Sequence, residues 1–290
     1  MDENLLERSQ KEDGRLSRRE FIQRSAILTG SLAAATTLTD TFATRAVYAA
    51  QVDPNDPELV SSDIKFNSTD GTAIGAYLTR PKGEERRPAV VVIHQNRGLE
   101  DHIRDVARRL AKAGYVALAP DLLSRQGGTQ SFSNGEAAIA AIAKVDEDNL
   151  TKDLTGAINY LKGQNFVRAN KIGVIGFCWG GGNALLIATR DKDVAAAVVY
   201  YGRSPKNLDD VKNITAPVLE HYGELDKAIT PQQPKLEETM KKYGKSFEYH
   251  IYPNAPHAFN DDTQPERYRP DAAKEAWGRT LDFFKKHLQS

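Results

Sequence analysis

The chain has 290 residues, of which 40% are hydrophobic and 27% are charged, a composition typical of a globular protein with one substantial core. Its 39 lysine and arginine residues balance its 39 aspartate and glutamate residues, so no overall field attracts nucleic acid and we expect none as a partner. Only one cysteine is present, which excludes an intramolecular disulfide.

The first fifty residues carry the pattern of an export signal. Arg18 and Arg19 stand ahead of a moderately apolar run, and Phe21 and Ile22 follow them at the spacing of a twin-arginine signal. The apolar run matches an export h-region of roughly 7–15 residues and is shorter than the ~20 residues that a membrane span needs. An amphipathic N-terminal helix of the mature protein is the alternative interpretation.

A cleavage site follows the apolar run. Val47 and Ala49 are small residues at positions −3 and −1 relative to a predicted cut after Ala49. We therefore predict a signal peptide over residues 1–49, the twin-arginine export machinery as a partner of the precursor, and a periplasmic or secreted mature protein. No later segment is predicted to span a membrane.

The mature chain begins with an extended leader and continues as one domain. Residues 50–62 are polar and contain prolines, which indicates the leader, and residues 63–290 form the domain. Two β-like runs flank the turn signal TDG, which predicts a hairpin. Continuous apolar runs then predict strands that are buried on both faces, in the order PAVVVIH, YVALAPDLL, KIGVIGF, AAAVVYYG and APVLEHYG. The last predicted strand is SFEYHIYP.

Helical periodicity separates these strands. One helix ends at Gly114, and one or two helices occupy residues 134–164, the second starting near Asp146. Further helices are NALLIATR, PQQPKLEETMKKYG and DAAKEAWGRTLDFFKKHL. Strands that alternate with helices predict the α/β class, a mostly parallel central sheet with helices on both faces, in which ligands bind beyond the carboxyl ends of the strands.

The single cysteine lies in the sequence GFCWGGG. Gly176 and Gly180 flank Cys178 at the spacing of a nucleophile elbow, with Cys in place of Ser, between a predicted strand and a predicted helix. The turn is so sharp that residues two before and two after the nucleophile would collide if they carried side chains. The peptide dipoles of the helix N-terminus favour a thiolate there. The alternatives are a buried cysteine in a glycine-rich turn and a phosphate-binding loop, although the G-x-G-x-x-G pattern is absent.

An elbow nucleophile requires an acid and a histidine later in the chain, in that order. Asp226 lies three residues past the turn glycine Gly223, and Glu224 is a rival that we expect to face solvent. His257 follows the last predicted strand in a loop that contains prolines. The order Cys178, Asp226, His257 therefore predicts a catalytic triad.

The other five histidines have simpler interpretations. His221 and His250 lie within predicted strands and are expected to pack there, whereas His102 and His287 occupy helix positions that we expect to be solvated. His94 ends a strand near the active rim and is expected to line the site, but it precedes the elbow and is a poor candidate for the base.

The predicted triad implies nucleophilic chemistry. His257, held in one tautomer by Asp226, would keep Cys178 as a thiolate or take its proton during attack on an ester or lactone carbonyl. The oxyanion would be held by the backbone N–H groups of Trp179 and Asn96. We expect no cofactor, and no group of His, Cys and Asp has the spacing of metal ligands.

Taken together, the sequence resembles the dienelactone hydrolase family. The similarity runs through nearly the whole mature chain, in VVIHQNRGLEDHIRDVARRLAKAGYVALAPDLL, KIGVIGFCWGGG, AAVVYYG, GELD and PHAFND. The resemblance implies the α/β-hydrolase fold and a triad of Cys178, Asp226 and His257 that cleaves ester or lactone bonds of a small molecule.

Two positions depart from the family's pattern. The family archetype has a glutamate that contacts the cysteine, and the matching residue here is Gln95, whose amide cannot take a proton but can hydrogen-bond the thiol or a substrate. The archetype also binds the substrate carboxylate with an arginine four residues after the histidine, where this chain has Asp261. We therefore expect a neutral or differently placed ester; the predicted substrate contacts are Gln95, Arg125 and Phe259, with Arg97 and Arg203 as further nearby cations.

Two other functions compete with hydrolysis. A small-molecule binding protein that keeps the α/β-hydrolase fold without turnover is the main alternative, and Gln95 is the feature that favours it. A thiol redox or sensing protein is the other, but no resolving cysteine accompanies Cys178.

Overall fold

An eight-stranded sheet forms the centre of the fold. The computed structural model describes residues 51–290, so the twin-arginine motif and the predicted cleavage site lie outside the described residues. The strands are β1 (Leu59–Asn67), β2 (Ala73–Pro81), β3 (Arg87–Ile93), β4 (Val116–Pro120), β5 (Val167–Phe177), β6 (Val194–Tyr200), β7 (Val218–Gly223) and β8 (Phe247–Tyr252). Their order across the sheet is β1-β2-β4-β3-β5-β6-β7-β8.

The sheet is antiparallel at one edge and parallel elsewhere. β1 pairs antiparallel with β2, and β2 pairs antiparallel with β4, whereas the six strands from β4 to β8 in the sheet order run parallel to one another. The predicted hairpin turns at Gly71, whose φ of 86° is readily adopted only by glycine. Asp70 accepts a hydrogen bond from the Thr72 N–H and stabilises this turn.

The predicted boundary between leader and domain is wrong by four residues. β1 begins at Leu59, inside the segment 50–62 that the sequence assigns to the leader. Leu59 is buried and pairs with Pro81 on β2. The sequence hides the start of this strand because most of its side chains are exposed or half-buried, so the run lacks a clear apolar alternation.

Helices cover both faces of the sheet. They are α1 (Asp101–Lys112), α2 (Gly135–Ile142), α3 (Glu147–Lys162), α4 (Trp179–Arg190), α5 (Gln233–Lys242) and α6 (Pro270–Phe284). The apolar residues of α1 and α6 join one core cluster, and those of α3, α4 and α5 join another. Among the described helices, none combines the length and the apolar character that crossing a bilayer requires.

The strand β3 shows why the central runs are apolar throughout. Val90 and Val92 belong to the core beneath α1 and α6, whereas Val91 and Ile93 belong to the core beneath α3, α4 and α5. Alternate side chains of a strand point to opposite faces, so a strand covered on both sides has no polar positions. The parallel strands β5, β6, β7 and β8 end at one edge of the sheet, where the residues predicted to be catalytic follow them.

Candidate active site

The turn between β5 and α4 holds Cys178 in a strained backbone conformation. Cys178 has φ 55° and ψ −116°, a region that residues with side chains rarely adopt. A Cβ at Gly176 would overlap the carbonyl oxygen of Gly180, and a Cβ at Gly180 would overlap the carbonyl oxygens of Ile93 and His94. The two glycines therefore make the turn possible, and the turn places the half-buried Cys178 at the N-terminus of α4.

Two hydrogen bonds join Cys178, His257 and Asp226. The Nδ1 of His257 lies 2.5 Å from the Asp226 Oδ2, and its Nε2 lies 3.0 Å from the Cys178 Sγ. Asp226 is buried and accepts two further hydrogen bonds, from the N–H groups of Ala228 and Ile229, which fix its carboxylate. The loops after β5, β7 and β8 thus bring together the three residues that the sequence predicts as a triad.

The rival acid Glu224 points elsewhere. Its side chain is exposed and accepts a hydrogen bond from the Asn254 N–H at 2.8 Å. Among the described residues, no hydrogen bond or ion pair joins it to His257, whose Nδ1 contacts Asp226 instead.

The electrostatics of this group favour a protonated histidine. Burial alone would lower the pKa of His257, but hydrogen bonds and charge interactions with Asp226 and Cys178 outweigh it and raise the pKa to about 9. Burial would raise the pKa of Asp226, but the hydrogen bond to His257 and those from Ile229 and Ala228 hold it below its ordinary value. The Nε2 of this imidazolium lies 3.0 Å from the Cys178 Sγ, within hydrogen-bond distance of the sulfur.

Two backbone N–H groups lie beside the elbow without an acceptor. Trp179 is the first residue of α4, and Asn96 lies in the turn after β3. Within residues 51–290, no hydrogen-bond acceptor contacts the N–H of either residue. Gly180 packs against the backbone of His94, so the start of α4 and the turn after β3 are neighbours. These are the two N–H groups that the sequence predicts as oxyanion-hole donors.

A cavity of about 1230 Å³ opens onto Cys178 and His257. Its lining includes Arg190, which forms ion pairs with Glu147 and Asp210 at 3.5 and 3.8 Å, so this cation is neutralised by its neighbours. Arg203 also lines the cavity, is exposed, and has no acidic partner among the described residues. The cavity is therefore large enough for a small-molecule ester or lactone and presents a free cation to it.

Two of the predicted substrate contacts, Arg125 and Phe259, lie away from the cavity that contains Cys178. The Arg125 guanidinium donates to Asp153 at 2.7–3.2 Å and to Asp70 at 2.9 Å, because the loop after β4 turns it toward α3 and the hairpin. Phe259 is completely buried and packs against Tyr201 and Tyr252, with ring centroids 5.5 and 5.2 Å away. Neither side chain lines the cavity that contains Cys178.

The residue that the sequence prediction missed is Tyr201. It follows β6, lines the cavity, and places its ring 5.0 Å from the His257 ring, in front of Phe259. Its hydroxyl is buried and has no partner among the described residues. Its position directly after a buried strand, at the carboxyl edge of the sheet, is the sequence signal that could have identified it.

Gln95 contacts Asp261, so the two positions that depart from the family's pattern interact with each other. The Gln95 Nε2 donates to the Asp261 Oδ2 at 2.8 Å, and both residues are buried. The Asp261 carboxylate also accepts hydrogen bonds from Thr263 and Gln264. Burial would raise the pKa of Asp261, but the charge of His102 and these hydrogen bonds hold it below its ordinary value. Gln95 is thus fixed by a neighbour, and it does not line the cavity.

His102 is buried rather than solvated, contrary to the sequence prediction. Its Nδ1 lies 3.3 Å from the Asp262 Oδ1 and 3.5 Å from the Asp261 Oδ1. Among residues 51–290 these three side chains are the only group with the spacing of metal ligands. Both oxygens of Asp261 and one of Asp262 already accept other hydrogen bonds, so the group fits a hydrogen-bonded network better than a cation site.

Several known proteins are similar to this chain. A model of the dienelactone hydrolase family matches residues 74–288. A protein of Methylorubrum extorquens named as a carboxymethylenebutenolidase is 35% identical over 240 residues, covering 79% of this chain and 82% of that protein. A Bradyrhizobium protein named as a 2-oxo-3-(5-oxofuran-2-ylidene)propanoate lactonase is 36% identical, covering 80% and 96%. A crystal structure from Klebsiella pneumoniae named as a dienelactone hydrolase superposes with a TM-score of 0.73 at 30% identity, covering 79% of this chain and 99% of that one.

Proposed function

The chain belongs to the dienelactone hydrolase family and is a dienelactone hydrolase-like hydrolase, and from this premise we propose that it cleaves carboxylic ester or lactone bonds through a thioester formed on Cys178. The observation that supports the proposal is the unbroken hydrogen-bond chain from Asp226 through His257 to the Cys178 sulfur. A nucleophile, a base and an orienting acid in this arrangement are the parts of acyl transfer.

The first half of the reaction forms the thioester. The Cys178 thiolate attacks the carbonyl carbon, and the negative charge moves to the carbonyl oxygen, where the N–H groups of Asn96 and Trp179 stabilise it. Such donors contribute roughly 3–4 kcal/mol each. When the tetrahedral intermediate collapses, the bond to the alcohol oxygen breaks and protonated His257 gives its proton to that oxygen. The alcohol, or the opened end of a lactone, is released from the carbonyl carbon.

The second half of the reaction hydrolyses the thioester. Acylation removes the negative charge of Cys178, and with it two of the interactions that raise the pKa of His257. His257, now neutral, takes a proton from water as the water oxygen attacks the thioester carbonyl. Collapse breaks the carbon–sulfur bond, restores the thiolate–imidazolium pair, and releases the acid. The same coupling that activates Cys178 therefore also frees His257 to act as the base.

The chemistry of the leaving groups indicates the substrate class. A thiolate leaves more easily than an ordinary alkoxide, so the tetrahedral intermediate returns to reactants unless the alcohol departs readily. Activated esters and enol lactones meet this condition, and amides do not. A Bradyrhizobium relative is named as a lactonase, which supports lactones as the class. Arg203, which lines the cavity and has no acidic partner within residues 51–290, is compatible with an anionic group on such a substrate.

We expect Asp226→Asn to lower kcat for an aryl ester by about 10³–10⁴-fold, because an amide cannot hold His257 in the productive tautomer and charge state. Glu224→Gln is the matched control: it also removes one carboxylate from the same loop, but one that contacts only the Asn254 N–H, and kcat should change less than about threefold. Steady-state hydrolysis of aryl esters and five-membered enol lactones by the purified proteins measures both.

Two results of these hydrolysis measurements would contradict the proposal. Equal losses in the two variants would show that Asp226 has no special relation to His257. Wild-type protein that binds the panel without hydrolysing any compound would support a binding protein without turnover.

We also propose that the protein is exported by the twin-arginine route and cleaved after Ala49. The motif at Arg18 and Arg19, the apolar run and the small residues Val47 and Ala49 support this proposal. N-terminal sequencing of protein recovered from the periplasm of a host with that route should begin at Ala50. An uncleaved N-terminus, or the same localisation after Arg18→Lys and Arg19→Lys together, would contradict the proposal.

A further inference from the structure

His94 makes two hydrogen bonds that fix its tautomer. Its Nδ1 lies 2.7 Å from the carbonyl oxygen of Gln95, and its Nε2 lies 3.1 Å from the backbone nitrogen of Leu122. A carbonyl oxygen only accepts and an amide N–H only donates, so Nδ1 carries the proton and Nε2 carries the lone pair. The side chain is completely buried, and this burial lowers its pKa. His94 is therefore a neutral donor toward Gln95.

The carbonyl that His94 holds belongs to the same peptide unit as the Asn96 N–H. The described chain contains no cis peptide bond, so this unit is trans. In a planar trans peptide the C=O and the N–H point in opposite directions. A hydrogen bond that fixes the Gln95 carbonyl therefore also fixes the direction of the Asn96 N–H. Among the described residues, the only other donor to this carbonyl is the Gly98 N–H, at a longer 3.4 Å.

The His94 ring also contacts the residue that supplies the second N–H. It stacks on the Trp179 indole with ring centroids 5.5 Å apart and an interplanar angle of 19°. Gly180, the next residue of α4, packs against the carbonyl of His94. One buried side chain thus bonds to the peptide unit that carries the Asn96 N–H and stacks on the side chain of Trp179. Within the described residues, the N–H groups of Asn96 and Trp179 lie beside Cys178 and lack an acceptor.

We propose that His94 is a positioning residue, whose Nδ1–H hydrogen bond to the Gln95 carbonyl aims the Asn96 N–H at the oxyanion formed on Cys178. This role rests on the proposed hydrolysis and extends it. The hydrogen bond from the Leu122 N–H holds the ring in the tautomer that can donate. His94 takes no part in proton transfer, because both of its ring nitrogens are occupied by the backbone.

Two amide variants separate the two ring nitrogens. In His94→Asn the side-chain nitrogen occupies the place of Nδ1 and keeps the donor to the Gln95 carbonyl, whereas His94→Gln places its amide at Nε2 and loses that donor. Both variants lose the stack on Trp179, so their melting temperatures should fall by similar amounts. We expect His94→Gln to lower kcat for an aryl ester by about 10²-fold or more with KM within about threefold, and His94→Asn to recover most of that loss.

Alkylation of Cys178 by iodoacetamide distinguishes positioning from a general disturbance of the site. Alkylation displaces iodide from carbon and forms no oxyanion, so its rate should be the same in both variants and in the wild type. Equal kcat losses in the two variants, or an alkylation rate that falls with kcat in His94→Gln, would overturn the inference. Hydrolysis that survives in Cys178→Ala would instead refute the proposed function, so the two failures are distinguishable.

A measurement on the unmodified protein does not depend on how the variants fold. The ¹⁵N chemical shifts of the His94 ring should show a protonated Nδ1 and an unprotonated Nε2 at neutral pH. The opposite tautomer would remove the Nδ1–H hydrogen bond to the Gln95 carbonyl, on which the inference depends. A ring with both nitrogens protonated would contradict the hydrogen bond from the Leu122 N–H, which fixes the tautomer.

Discussion

Cys178→Ala is expected to lower kcat for aryl esters and lactones by at least about 10³-fold, because Cys178 is the side chain that contacts the His257 Nε2 and is therefore the one placed to form the acyl intermediate. Substrate binding in the cavity should survive, since Cys178 contributes only part of its lining. Cys178→Ser is the matched variant. It keeps the shape of the side chain, but its hydroxyl gives up a proton far less readily than a thiol, so we also expect a large loss of kcat. Retention of more than about a tenth of the wild-type kcat in the alanine variant would contradict the assignment.

The same substitution should change the titration of His257. Interactions with Cys178 help to raise the pKa of His257 to about 9, so the pKa should fall in Cys178→Ala. His257 would then lose its proton at a lower pH than in the wild type. Nuclear magnetic resonance titration of the imidazole measures this shift, and an unchanged pKa would show that His257 and Cys178 are not coupled.

Gly176→Ala is expected to destabilise the protein by at least about 3 kcal/mol, the largest stability effect that the site predicts. The added Cβ would overlap the Gly180 carbonyl, which is backbone and cannot rotate away. The overlap could be removed only by opening the turn that holds Cys178. The fraction of the variant that folds should therefore also lose activity. Chemical denaturation monitored by circular dichroism gives the free energy of unfolding.

Gly278→Ala is the matched control for that substitution. Gly278 is exposed in the middle of α6, and a Cβ there would meet nothing within 4 Å. Alanine is the better helix former by ~0.5–1 kcal/mol, so this variant should be slightly more stable than the wild type, with unchanged activity. If Gly176→Ala and Gly278→Ala changed the free energy of unfolding by the same small amount, the turn at Cys178 would not require a glycine at position 176.

Much of the fold was predictable from local patterns. The strands covered on both faces appear in the sequence as continuous apolar runs, and the predicted second helix start near Asp146 is confirmed by α3, for which Asp146 is the N-cap and accepts a hydrogen bond from the Asn149 N–H. The helix after the elbow begins at Trp179, four residues before the predicted NALLIATR, because the glycines that precede it hide its periodicity. Order across the sheet is not a local property. Nothing in the sequence of β4 indicates that it lies between β2 and β3.

The differences between the sequence predictions and the structure at the site have a common physical cause. Arg125 and Phe259 lie away from the cavity, and His102 is buried rather than solvated. Their environments are set by partners far away in sequence: Asp153 holds Arg125, Tyr201 covers Phe259, and Asp262 lies against His102. The hydrophobic periodicity of a single sequence indicates local secondary structure, so it cannot predict which distant residues these side chains contact.

The elbow was predictable for the opposite reason. Its requirements fall within a few consecutive residues, namely two glycines, a buried strand before them and a helix after them. The acid and the base could be selected because a parallel sheet brings the ends of its strands to one edge. The contact between Gln95 and Asp261, in contrast, needed coordinates, although both departures from the family's pattern were visible in the sequence.

Trapping the acyl-enzyme tests the central claim most directly. Wild-type protein mixed with an activated aryl acetate and quenched with acid should gain the mass of one acetyl group, since a low pH keeps His257 protonated and slows hydrolysis of the thioester. Peptide mapping should place the acetyl group on Cys178, and neutral hydroxylamine should remove it, as it does from thioesters. A gain of mass on another residue, an equal gain in Cys178→Ala, or turnover of the ester with no trapped acyl group on Cys178 would contradict the mechanism.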